Sequence, residues 1–231
     1  EENKAALQKL YEASRIMDEL FVRQVWARNV ELREELGRRG NPELSRFFWR
    51  NVGPWDRLAD NAPVLVKDPK PDGANFYPSD MTKEEFENWV KNHPQDKTAF
   101  ESNFTVIKRT KDKGLEAVSY SKEYNELLTE AARLLDEAAA LVDNESLADF
   151  LKLRAKAFLS DDYYESDMAW MDVKDNVIDL TIGPYEVYED NLFNYKAAFE
   201  AFLCVRDPAE TAKLEGLKAY VPKMEANLPI D

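Results

Sequence analysis

The residues that most often build metal and nucleophilic sites are nearly missing here: the 231-residue chain has one cysteine, Cys204, and one histidine, His93. A single cysteine forms no intramolecular disulfide and no cysteine-based zinc site. A single histidine excludes an H-E-x-x-H helix, and it would be the only base available to a serine or cysteine triad. The 7 glycines form no P-loop, no G-x-G-x-x-G turn and no G-x-S-x-G elbow. No apolar run approaches the roughly 18 residues that span a bilayer, and no signal-peptide core is present. Positive charge is also scarce: 31 Lys and Arg against 45 Asp and Glu leave a net charge of −14. That sign excludes nucleic acid as the expected partner and mildly favours amine-bearing ligands. The chain opens Glu1-Glu2-Asn3 without methionine, which reads as loss of an upstream segment. Cytoplasm and periplasm (after removal of a leader) both stay open as compartments.

What is there is an ordinary globular composition, 44% hydrophobic and 33% charged, in a length that suits one large domain or two small ones. From Lys4 to about Leu36, residues Leu7, Leu10, Tyr11, Met17, Leu20, Phe21 and Val25 recur at helical spacing, and Gly37 and Gly40 stop the run. Asn41-Pro42 opens a short helix with Leu44, Phe47 and Phe48 on one side. Residues 51–79 hold Pro54, Pro63, Pro69, Pro71 and Pro78 and predict a long irregular connection. Its aromatic residues Trp55, Phe76 and Tyr77 favour draping over the core.

Further along, Thr82-Lys83-Glu84-Glu85 is a capping box before Phe86 and Trp89. Phe104–Arg109 and Leu115–Tyr120, joined through Gly114, predict a β-hairpin. Two amphipathic helices follow at Tyr124–Val142 and Ser146–Leu159, then a strand region at Val177–Tyr188. Helices are expected at Leu192–Val205 and Ala209–Asn227, with Pro222 kinking or ending the second. The predicted fold class is α+β, predominantly helical, with a small antiparallel sheet or partial β-barrel.

Most candidate chemical groups have an ordinary explanation. His93 fits a helix end, bonding terminal carbonyls. The acidic cluster Asp161, Asp162, Glu165, Asp167, Asp172, Asp175 and Asp179 lacks the spacing of a calcium loop and reads as solvated surface and helix caps. Cys204, in an apolar run, is expected to be buried and inert. Trp89 and Trp170 are expected in the core. The segment T-I-G-P-Y-E-V-Y-E-D, Thr181–Asp190, offers more. Strand side chains repeat every two residues, so Glu186 and Tyr188 would share a face. A carboxylate beside a phenol can hold an ammonium and donate to a developing oxyanion.

The string I-G-P-Y-E-V-Y-E-D-N-L-F-N-Y-K-A-A-F-E-A-F, Ile182–Phe202, resembles the dipeptidyl peptidase III family of zinc exopeptidases. The likeness is greatest to its bacterial branch, some members of which carry a Nudix domain; no Nudix box occurs here. F-Y-P-S-D-M-T-K-E-E-F-E-N-W (Phe76–Trp89), F-T-V-I-K-R (Phe104–Arg109) and D-Y-Y-E-S-D-M-A-W-M-D (Asp162–Asp172) extend the likeness from about residue 40 onward.

The resemblance implies a two-lobed enzyme that binds extended peptides across a cleft by β-augmentation and releases dipeptides from their amino ends. It implies zinc on an H-E-x-x-G-H helix, with another ligand from an E-E-C-x-A helix. Neither motif occurs here. Residues 1–231 are therefore expected to form one N-terminal, substrate-binding lobe, inactive alone, whose partner is a C-terminal zinc-bearing lobe outside this chain. The family's E-x-Y element falls on Glu186, implied to hold the substrate's ammonium, and Tyr188, implied to assist at the scissile carbonyl. Two other readings stay open: a non-catalytic helical module that binds peptides or proteins, and a hydrolase using a carboxylate pair from the acidic cluster.

Overall fold

A computed structural model describes residues 2–229. The chain begins with α1 (Glu2–Val25), α2 (Asn29–Arg39) and α3 (Pro42–Asn51). The expected single helix from Lys4 to Leu36 is thus two. Asn29 is the reason: its buried amide donates to the carbonyls of Val22 at 2.9 Å and Val52 at 3.1 Å. Capturing a carbonyl of the last turn ends α1 and turns the chain. Tyr11, assigned to the apolar face, points outward, while Leu10, Met17 and Leu20 are fully buried. At α3, the Asn41 side chain accepts from the Glu43 and Leu44 N–H groups with Pro42 in the first turn, as the sequence predicts.

Residues 52–79 are draped, as expected, and carry the two-residue strands β1 (Trp55–Asp56) and β2 (Ala62–Pro63) with a single 3-10 turn, Arg57–Ala59, between them. Trp55 stacks edge-on against Trp26 and donates to the Asp68 carbonyl at 2.8 Å, while Phe76 and Tyr77 enter the core. Helix α4 (Lys83–Asn92) starts at Thr82, whose hydroxyl accepts from the Glu85 N–H at 3.1 Å. After α5 (Lys97–Glu101) come the hairpin strands β3 (Thr105–Arg109) and β4 (Leu115–Ser119), in register Thr105↔Ser119 to Arg109↔Leu115.

The short α6 (Tyr120–Glu123) leads into α7 (Asn125–Ala139), α8 (Glu145–Ser160) and α9 (Tyr164–Met171). Helix α7 lies between α1 and α8. Buried alanines at 13, 131, 138 and 155 let these helices approach closely, and Leu128, Leu135, Phe150 and Phe158 fill the space between.

Strands β5 (Ile178–Glu186) and β6 (Ala198–Val205) form an antiparallel hairpin laid on α1. This corrects the helix expected at Leu192–Val205. Ile178, Leu180 and Ile182 alternate inward along β5, and β6 supplies the hydrogen-bonding partner from Ile178↔Val205 to Pro184↔Phe199. Pairing overrides the helical preference of a segment with three alanines and two leucines. The terminal helices are α10 (Pro208–Lys218) and α11 (Val221–Glu225), with Pro222 in the first turn of α11, where its missing N–H costs nothing.

The class is the expected predominantly helical α+β. Among the described residues the sheets are three open two-stranded hairpins, and none closes into a barrel. No helix among them is long and apolar enough to cross a membrane.

The connection from β5 to β6 is wired to the rest of the molecule by two buried charges. Asp190 accepts from the Tyr77 hydroxyl at 2.7 Å and from four N–H groups, those of Leu192, Phe193, Tyr195 and Lys196, at 2.9–3.1 Å. Lys196 Nζ donates to the carbonyls of Phe100 at 2.6 Å and Ser102 at 2.8 Å, and to Thr105 Oγ1 at 2.8 Å. The turn is thereby fastened to α5 and β3. Burial pushes the Lys196 ammonium down, to about 7, against the opposing pull of Asp190 and Glu101.

In the unfolded chain this lysine keeps its proton to about pH 10.4, while the folded protein gives it up near 7. Between those values the unfolded state binds more protons, so stability rises with pH. We expect the urea midpoint to climb from pH 7 toward about 9.5, below the range in which tyrosines ionise. Lys196→Met should flatten that slope while lowering stability at every pH.

Candidate functional site

The hairpin is bent where it leaves the core. Gly183 adopts φ +150°, and a Cβ there would lie 2.6 Å from Arg154 Nη1. Both conditions demand glycine. Arg154 is wholly buried beneath it, boxed by the rings of Phe150, Tyr163 and Tyr185 at 5.3–5.5 Å, and paired through Nη2 with Asp167 at 2.5 Å. Just beyond, the register slips between Pro184 and Glu186, so that Glu186 lies opposite Ala198.

This bulge changes the expected geometry. Strand β5 ends at Glu186, and Tyr188 lies past it in the connection. The two side chains do not share a face of one continuous strand. They nevertheless line the same groove of about 450 Å³, together with Asp18 and Phe21 of α1, Glu189, and residues 198–201 of β6. Tyr188 is 77% exposed.

The groove is acidic. Asp18, Glu186 and Glu200 bring three carboxylates to it, and Phe199 is buried beside them. Burial, with Glu186 nearby, pushes the Glu200 carboxyl up; burial also raises Asp18 against the pull of Arg15. Glu189 behaves oppositely. Burial would raise it, but Arg57 and Lys70 together hold it below the usual carboxylate range. The arrangement suits a cationic ligand group set near a phenol that can donate a hydrogen bond.

Asp18 and Glu200 escaped the sequence reading. Asp18 lies more than 160 residues from Glu186, and nothing local brings it there. Glu200 was hidden by the helical reading of its segment. Placed on a strand opposite Gly183, it becomes a neighbour of Glu186.

The other candidates fall elsewhere. His93 ends α4, donating its N–H to the Trp89 carbonyl at 2.8 Å and stacking on the Trp89 ring. Asp161 closes α8 and accepts from Ser121 N and Oγ, Asp167 pairs with Arg154, and Asp162, Glu165, Asp172, Asp175 and Asp179 are exposed. None of that cluster lines the groove. Trp89 packs against the core as expected, but Trp170 is substantially exposed. Cys204 is exposed, not buried. It lies at the outer end of the β5–β6 hairpin, where Phe202 and Val205 are also uncovered. Among the described residues no group of three or more His, Cys, Asp or Glu is placed to hold a metal.

Known proteins share this architecture. The family model of peptidase family M49 matches residues 101–231. Dipeptidyl peptidase III from Caldithrix abyssi is 54% identical and superposes with a TM-score of 0.93 over 99% of this chain and 44% of that one. The dipeptidyl-peptidase III structure from Corallococcus sp. strain EGB is 47% identical, with a TM-score of 0.89 over 100% of this chain and 44% of that one. Nudix hydrolase 3 of Arabidopsis thaliana is 36% identical over 285 residues, 100% of this chain and 37% of that protein. The chain thus spans less than half the length of these relatives.

A carboxylate whose folded pKa is raised costs stability once ionised, and that cost vanishes below its unfolded value of about 4.3. Glu200→Gln should therefore raise the thermal midpoint at pH 7 and leave it nearly unchanged at pH 4. Differential scanning calorimetry at the two pH values reads this directly.

Proposed function

The chain belongs to peptidase family M49, and on that premise we propose that it is the substrate-binding lobe of a dipeptidyl-peptidase-III-like exopeptidase. The whole enzyme would remove dipeptides from the free amino ends of peptides. The observation that carries this reading is the groove in which Glu186, Glu200 and Asp18 lie around an exposed Tyr188. Glu186, at the end of β5, accepts charge-assisted hydrogen bonds from the substrate's ammonium. Glu200 strengthens the local negative potential. The peptide extends along the hairpin edge, where main-chain pairing holds it without regard to side chains. Two extended residues cover roughly 6.6 Å, which sets the distance from the amino end to the scissile carbonyl. Tyr188 donates its phenolic hydrogen to the carbonyl oxygen as negative charge develops there.

The zinc of such an enzyme has no fitting donor set among the described residues, and the chain's one histidine is engaged at a helix end. The metal and the general base belong, on this reading, to a C-terminal lobe outside residues 1–231. The isolated chain binds substrate and does not hydrolyse it.

The test is release of a dipeptidyl-naphthylamide by the protein carrying both lobes, with and without chelator. Activity that is absent, or that survives chelation, counts against the reading. In that protein Tyr188→Phe should lower kcat by about 10²–10³-fold, the usual effect of losing an oxyanion donor. Glu186→Gln should chiefly raise KM, and acetylating the substrate's amino end should cost the parent enzyme far more than the Glu186→Gln variant.

A further inference from the structure

The proline-rich segment 52–79 has little regular structure, yet it is fastened at several points to the connection that carries Tyr188. Arg57 is set by its own N–H donating to Asn51 Oδ1 at 3.0 Å and by Nε donating to the Asn51 carbonyl at 2.6 Å. From there its guanidinium lies 5.6 Å from the Phe21 ring centroid and pairs with Glu189 Oε1. Lys70 Nζ lies 3.1 Å from Glu189 Oε2, and both side chains are nearly buried. One residue on, Tyr77 donates to Asp190 at 2.7 Å. One residue further, the Asn191 N–H donates to the Asp72 carbonyl at 2.8 Å. Three consecutive residues, 189 to 191, are thus held by the same strap.

Tyr188, immediately before them, is exposed, and its side chain hydrogen-bonds to none of these groups. Its direction is set by the backbone that the strap holds. Glu189 also lines the groove, as does Phe21 beneath Arg57. The nearly buried Lys70–Glu189 pair, flanked by the partly exposed Arg57, is a poor way to gain stability, since desolvation offsets most of the attraction. It is a good way to fix a position, because a charge-assisted pair tolerates little misalignment. Resting on the function proposed above, we infer that Arg57, Lys70 and Glu189 form a positioning clamp that sets the Tyr188 hydroxyl over the reacting carbonyl.

Two measurements test this. In the present chain, Arg57→Met and the shape-conserving Glu189→Gln should each speed amide hydrogen exchange across residues 187–191 while leaving α7 and α8 protected. In the two-lobed enzyme, Arg57→Met should lower kcat by about 10- to 100-fold, the scale of a displaced catalytic group, with KM within about twofold. Arg57→Lys should recover most of the loss. In a Tyr188→Phe background the Arg57 substitution should cost little more, because the group it positions is already gone.

Unchanged exchange at 187–191, or an equal loss of kcat from Arg57→Met in both backgrounds, would overturn the clamp while leaving the proposed function standing. Should Tyr188→Phe itself leave kcat unchanged, the role of Tyr188 falls and the clamp's role with it. A variant that unfolds is recognised by loss of protection in α7 and α8, and the Glu189→Gln arm then decides.

Discussion

The carboxylate of Asp190 is the constraint on which the site depends. A buried carboxylate is tolerable only when its lone pairs are filled, and here five donors fill them. Four of the five come from the backbone of its own turn, so the chain from 190 to 196 has little freedom to take another shape. The fifth, Tyr77, belongs to the strap. One side chain therefore folds the connection and ties it to a segment more than 100 residues away. Lys196 continues the tie into α5 and β3. Removing the carboxylate would leave four N–H groups of the turn and the Tyr77 hydroxyl without their acceptor, a costly defect for such a turn.

The groove sits at the end of this wiring, and its chemistry runs against its stability. Asp18 and Glu200 are carboxylates that burial pushes toward the neutral form, and Glu200 also faces Glu186. A chain selected for stability alone would gain by neutralising them. Acidic groups in such a setting make the groove electrostatically suited to a ligand group of opposite charge. Next door the opposite holds at Glu189, which Arg57 and Lys70 keep below the usual carboxylate range.

Much of the fold could be read in the sequence wherever a local rule decides the outcome. The Thr82 cap, the Asn41-Pro42 start and the β3–β4 hairpin all follow from chemistry within a few residues. The failures came where a distant partner decides. Residues 198–205 form strand rather than helix because they pair with β5, and α1 ends at Val25 because Asn29 folds back onto it. Of the candidate site, Glu186 and Tyr188 were visible through the E-x-Y pattern and the family likeness. Asp18 and Glu200 were not, since only the β5–β6 register and the packing on α1 bring them near. Cys204 and Trp170 were misjudged for a related reason: an apolar neighbourhood in sequence gives no warning that one end of a hairpin is left uncovered.

Arg154 and Gly183 share one small volume beneath the bend in β5. The guanidinium occupies the space that any side chain at 183 would need, and it cannot retreat, because three aromatic rings enclose it. Over evolutionary time these two positions, 29 residues apart, are therefore not independent. A lineage that shortens the arginine relieves the contact at 183 but leaves the φ of +150°, which strains any residue other than glycine whatever the space. Glycine is therefore held at 183 twice over, and only a change in the bend itself would release it.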